Sequence, residues 1–183
     1  MVVTDSTNLL LLLRPGTPVP RGIDRAKERI DYLAHRLSKA KAKIIIPTPA
    51  LSEALVKAGA AASLQIVEEL QKHAVFSIEP FDTRAALEAS AMSRAALANG
   101  NKKANSTAPW QKVKFDRQIV AIAKVHGATE IYSDDADIAA LGVHAKIKVI
   151  RLADLPLPPE KDQLGFLLEP AASTAEATSG DEG

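Results

Sequence analysis

The sequence predicts an α/β fold of one domain, a mostly parallel sheet covered by helices. Three observations predict it. Short apolar runs rich in Val and Ile alternate with longer stretches of helical periodicity. A chain of 183 residues is long enough to bury a substantial single core. Hydrophobic residues make up 46% of it but aromatics only 4%, so that core is built from Ala, Val, Ile and Leu.

The elements follow in order. Val2-Val3 leads to Asp5 as a short buried strand, and a helix from about Thr7 to Leu13 comes next. The Arg14-Pro15-Gly16-Thr17-Pro18-Val19-Pro20 run breaks it. From Asp24 to about Lys39, Ala26, Ile30, Leu33, Ala34 and Leu37 form one apolar stripe with charges opposite. Lys43 to Ile46 is the second strand, apolar enough to be covered on both faces. Thr48 suits an N-cap and Pro49 the first position of a helix that Gly59 ends. A helix over about Ala62–Lys72 precedes the strand Val75–Ile78, and Asp82 starts a helix that ends near Asn99-Gly100. After a polar loop, a helix runs from about Val113 to His126 and the strand Glu130–Tyr132 follows. Asp134 to Leu141 reads as a short helix stopped by Gly142, and Lys148–Ile150 as the last strand. Residues 1–155 form the predicted domain, and 156–183 read as a Pro-rich linker and disordered tail.

Several classes of function drop out early. With no cysteine, disulfides, thiolate catalysis and Cys-based metal sites are excluded, and a reducing cytoplasm fits. A net charge of +1 gives no broad footprint for nucleic acid, so any such contact needs a local basic patch. Leu9 to Leu13 is too short to span a bilayer and lacks a basic leader, so neither membrane segment nor export signal is expected. The four histidines show no ligand spacing, and neither a phosphate-binding loop nor a serine nucleophile elbow is present.

The acids carry the chemistry. Ligand sites in parallel α/β sheets form beyond the carboxyl ends of the strands. Asp5 directly follows the first strand, and Asp134 and Asp135 follow the fourth. Glu53 lies early in the helix after strand two, and Asp116 opens the helix that feeds strand four. Two carboxylates about 4 Å apart repel by roughly 4 kcal/mol at surface-like dielectric, which a shared divalent cation relieves. Oxygen ligands without His or Cys favour Mg²⁺ or Mn²⁺.

On these residues the sequence resembles the PIN-domain family, including the VapC-type toxin ribonucleases. The segments VVTDSTNLLLLL, IIIPTPALSEAL and KFDRQIVAIAKVHGATEIYSDDADIAALG carry the likeness. Asp5 matches the acid after strand one, with Thr7 as the small polar residue two places on. Glu53 matches the acid of the second-strand helix, and Asp116 opens the pattern D-x-x-I-x-A-x-A. Ser133, Asp135 and Asp137 match the strand-end T-x-D-x-D-F pattern, with Ser for Thr and Ile138 for Phe. The extra Asp134 leaves open which of the two neighbours faces a metal.

The resemblance implies a three-layer α/β/α sandwich with five parallel strands in the order 3-2-1-4-5. It implies an endoribonuclease dependent on Mg²⁺ or Mn²⁺, with Asp5, Glu53, Asp116 and Asp135 as ligands and Asp137 auxiliary. Thr7, Ser133 and Asp134 would support the site. For many relatives it further implies a homodimer and, for the toxins, a cognate antitoxin.

Plainer roles stand beside these. Asp5, Ser133 or Asp134 would cap a helix equally well, and Glu53 alone is an ordinary solvated residue. Lys102, Lys103, Lys112, Lys114 and Arg117 cluster around Asp116 and Trp110, as an RNA-contacting strip or as a wet loop beside a half-buried Trp. Two further readings compete: a non-catalytic PIN-like module binding RNA or protein, and a haloacid-dehalogenase-like phosphatase. The latter normally has a second Asp where Thr7 stands.

Overall fold

The computed structural model describes residues 1–14 and 16–159. Five strands form one parallel sheet: β1 (Val2–Thr4), β2 (Ile44–Pro47), β3 (Phe76–Glu79), β4 (Glu130–Tyr132) and β5 (Lys148–Ile150). Their order is β3-β2-β1-β4-β5, as the resemblance implies. The helices are α1 (Ser6–Leu13), α2 (Ala26–Lys39), α3 (Thr48–Ala58), α4 (Ala60–Lys72), α5 (Thr83–Ala98), α6 (Trp110–Val125) and α7 (Ala136–Ala145). A 3₁₀ turn at Leu152–Asp154 follows β5.

The three layers come from the two-residue period of the strands. Val2 and Ile44 pair across the sheet and pack with Ile30, Leu33 and Leu37 of α2. Their neighbours Val3 and Ile45 point the other way, onto Ile119, Val120 and Ala123 of α6 and Ile138 and Leu141 of α7. Ile46 returns to the first side and meets α1, α3 and α4 through Leu9, Leu51, Ala54, Ile66 and Leu70. The central strands are therefore apolar on both faces because both faces are covered.

Three local expectations change. Thr48 does not cap α3: Pro47 holds the cap position and Thr48 Oγ1 accepts instead from the Phe81 amide at 3.2 Å, joining α3 to the chain after β3. Gly142 does not stop α7, which continues to Ala145 and ends at Lys146 in the left-handed region. Gly142 is there for clearance, since a Cβ would lie 2.5 Å from Val149 Cγ2. Asp116 does not open α6 but sits almost two turns inside it, because the helix begins at Trp110 rather than Val113. The expected tail lies, from residue 160 on, outside the described residues. Among these, no helix is long and apolar enough to cross a membrane.

Candidate active site

The carboxyl ends of β1 and β4 lie side by side, with Thr4 opposite Tyr132, and each strand is followed at once by a polar turn into a helix. Asp5 caps α1, its Oδ1 accepting from the Asn8 amide at 2.8 Å and from Asn8 Nδ2 at 3.2 Å. Its other oxygen accepts from Ser133 Oγ at 2.5 Å. Ser133 in turn accepts from the Asp135 amide at 3.1 Å, and Asp135 Oδ1 caps α7 by accepting from the Asp137 amide at 2.8 Å. Capping and site-building are thus one arrangement here, since the oxygens that start the helices also fix the acids.

Asp116, Asp135 and Asp137 form the tightest group. One carboxylate oxygen from each lies within 4.8 Å of the other two. A cleft of about 580 Å³ opens beside them, lined by Asp116 and Asp135 and by Asp5, Thr7, Glu53, Lys57 and Asp134. Four elements far apart in sequence therefore bring acids to one opening. Asp5 and Glu53 share the cleft without belonging to the triad. Asp5 is buried, whereas Glu53 is exposed and paired with Lys57 at 2.9 Å. Asp134 borders the cleft too, but its Oδ1 accepts from the Leu152 amide at 3.0 Å and ties the loop to the chain beyond β5. Of the two neighbouring acids, Asp135 is the one that joins the triad.

The electrostatics follow from burial and crowding. Burial pushes the Asp5 carboxyl above its ordinary range, against the hydrogen bonds from Ser133 and Asn8. Burial likewise drives Asp116 up to about 6, helped by the charges of Asp135 and Asp137 and resisted by Lys112. Burial also acts upward on Asp137, but hydrogen bonds from Ser106 and Lys112 and the charges of Lys112 and Lys103 hold it below the ordinary carboxylate range. Lys112 is half exposed, and although burial disfavours its charge, its three acidic partners hold it well above the usual lysine range. Lys112 and Asp116 both move upward because Asp116 is the buried partner and faces two further acids.

A divalent cation fits this donor set. Hard carboxylate oxygens converge, and no histidine lines the cleft.

The basic strip divides. Arg117 is buried, donating to Ser93 Oγ and to the Lys102 carbonyl, each at 3.0 Å, so its expected role at RNA is corrected to one of holding the loop. Its guanidinium and the Lys102 ammonium flank the Trp110 ring at 5.4 and 4.4 Å, which makes Trp110 part of this loop packing. Lys112 turns into the acids, while Lys114 stays exposed. Two residues at the cleft escaped the sequence reading. Lys57, one turn after Glu53, donates to Ser6 Oγ at 2.9 Å and to Thr7 Oγ1 at 3.1 Å. Phe115 is 56% exposed at the cleft wall; an aromatic beside Asp116 and off the apolar stripe of α6 was the available signal.

The PIN domain family matches residues 22–143, two thirds of the chain, and so spans Glu53 and the whole triad. The chain belongs to the PIN-domain family. Solved structures give this PIN domain the same fold. It is similar to a chain in the structure of FitAB bound to IR36 DNA fragment, with a TM-score of 0.57 and 19% identity over 85% of this chain and 98% of that one. It is also similar to a chain of DNA-bound VapBC from Salmonella typhimurium, with a TM-score of 0.53 and 16% identity over 82% and 97%. No curated protein matches the sequence. Membership of the PIN family displaces the dehalogenase-like reading, and Asp5 accordingly sits in a hydrogen-bonded cap rather than free for attack.

Proposed function

We propose that this PIN domain is an endoribonuclease that depends on Mg²⁺ or Mn²⁺. The observation that carries the reading is the convergence of Asp116, Asp135 and Asp137 oxygens within 4.8 Å, beside a cleft that Asp116 and Asp135 line together with Asp5 and Glu53. Asp5, Glu53, Asp116 and Asp135 would hold the ion, with Asp137 as a fifth acid. When bound, the ion supplies an acidified water as nucleophile and neutralises charge at the phosphate.

The chain's own residues do the rest. Ser133 holds Asp5 and the Asp135 backbone in register, so the two strand-end acids cannot drift apart. Thr7 and Lys57 form the opposite rim, where an ammonium faces an incoming phosphate. Lys102, Lys103 and Lys114 would serve as backbone contacts, and exposed Phe115 offers a stacking face to an unpaired base. Attack by water leaves a 5′-phosphate and a 3′-hydroxyl, and nothing in this chemistry uses the RNA 2′-hydroxyl.

Family membership supports nuclease activity. Likeness to chains of FitAB and VapBC supports the further reading of a toxin with a cognate antitoxin; a cytoplasmic homodimer is part of the same proposal. One experiment tests the core. Purified protein should cut single-stranded RNA with Mn²⁺ and not with chelator, and Asp5→Asn and Asp116→Asn should both be inactive while folded. Full activity in both variants would refute the assignment, and a folded protein that binds no Mn²⁺ would favour the non-catalytic module.

A further inference from the structure

The acids of this site already have a cation. Lys112 Nζ lies 2.8 Å from Asp116, 2.7 Å from Asp135 and 2.9 Å from Asp137. It thus touches all three carboxylates whose oxygens converge within 4.8 Å. The placement is set by the backbone: Lys112 stands one turn before Asp116 on α6, and residues four apart share a helix face. The stem is flexible, and 42% of the side chain faces solvent, so the ammonium has a way out that the buried Asp116 lacks.

We propose that Lys112 is a built-in counter-cation, which holds the triad together while no divalent ion is bound and must leave when one binds. The inference rests on the metal-site reading above. Ammonium and divalent ion would use the same oxygens, so occupancy by one excludes the other. Binding of the ion then costs three ion pairs, and affinity is set lower than the acids alone would give. Each such pair at a partly exposed site contributes modestly, and together they amount to about a tenfold change in affinity. The effect is a threshold: the nuclease loads only where free divalent ion is plentiful, and its acids do not repel one another before then.

Calorimetric titration of the full chain with Mn²⁺ tests this, comparing wild type with Lys112→Met, which keeps the stem and removes the charge. The variant should bind about tenfold more tightly, and its ion-free form should melt at a lower temperature than wild type. Equal or weaker binding by the variant would overturn the counter-cation while leaving the metal site standing. No binding by either protein would overturn both. Should Lys112→Met fail to fold, wild type alone answers through amine acylation read by mass spectrometry. Saturating Mn²⁺ should speed modification of Lys112 several-fold and leave exposed Lys39 unchanged; a Lys112 rate indifferent to the bound ion would overturn the proposal.

Discussion

Ser133 Oγ donates to Asp5 Oδ2 at 2.5 Å across 128 residues of sequence. Both side chains are buried, and this contact ties the ends of two neighbouring strands. Ser133→Ala removes the donor and leaves a buried carboxylate oxygen short of a partner. A loss of about 1–3 kcal/mol in unfolding free energy is expected, with weaker Mn²⁺ binding. Urea unfolding and calorimetry check the two effects, and an unchanged midpoint would show that water replaces the hydroxyl.

Asp116 makes stability and function pull apart. Its carboxyl is pushed up to about 6 from 3.8, so the folded state binds its proton more tightly than the unfolded chain does. A group raised in this way favours folding as pH falls through about 6 and disfavours it above. The difference, 6 minus 3.8, is about 2 pH units and corresponds to at most about 3 kcal/mol at neutral pH. Asp116→Asn should therefore stabilise the ion-free protein at pH 7.5 and flatten its stability profile between pH 4 and 6, while abolishing cleavage. Thermal melts across that range, with chelator present, measure it.

The same carboxyl governs ion loading. Below pH 6 a proton competes for Asp116, and Mn²⁺ affinity should fall by up to about tenfold per pH unit. The rise in melting temperature on adding Mn²⁺ should then be large at pH 7.5 and small at pH 5. An equal rise at both would remove Asp116 from the ion's ligands.

Glu53 offers a contrast. It is exposed and its pairing with Lys57 is a surface ion pair, worth about 0–1 kcal/mol. Glu53→Gln should leave the melting temperature nearly unchanged yet lower cleavage at least tenfold, as measured by initial rates under saturating RNA. Retained rates would confine Glu53 to the rim.

Gly142→Ala probes the fold away from the cleft. The added methyl would meet Val149 Cγ2 at 2.5 Å and the Ile147 carbonyl at 3.1 Å, so Val149 must leave its rotamer or α7 and β5 must part. Overpacking of this kind costs about 1–3 kcal/mol. Chemical denaturation should show it, with cleavage intact at temperatures where the variant is folded.

Much of this architecture was legible because the informative residues are short-range signals. Val2-Val3 before Asp5 and Ile131-Tyr132 before Ser133 announce buried strands that end in polar turns, and parallel strands put such ends together. The triad's membership was harder. Asp134 and Asp135 look equivalent in sequence, and their roles are separated by partners distant along the chain, the Leu152 amide on Asp134 and Lys112 on Asp135. Arg117 and Lys112 looked alike for the same reason: a charge among charges gives no sign of where its helix face will point. Arg117 faces the α5 side and is buried, while Lys112, five residues earlier, faces the acids. Gly142 misled because a glycine forced by a neighbour's bulk reads the same as a glycine that ends a helix.

The middle strand of the sheet is β1, which pairs on one side with β2 and on the other with β4. During synthesis, residues 2–4 are made before residues 130–132 and therefore keep an open edge until the latter follow. Contacts that close so large a loop slow folding, and the half-built sheet exposes an unpaired apolar strand meanwhile.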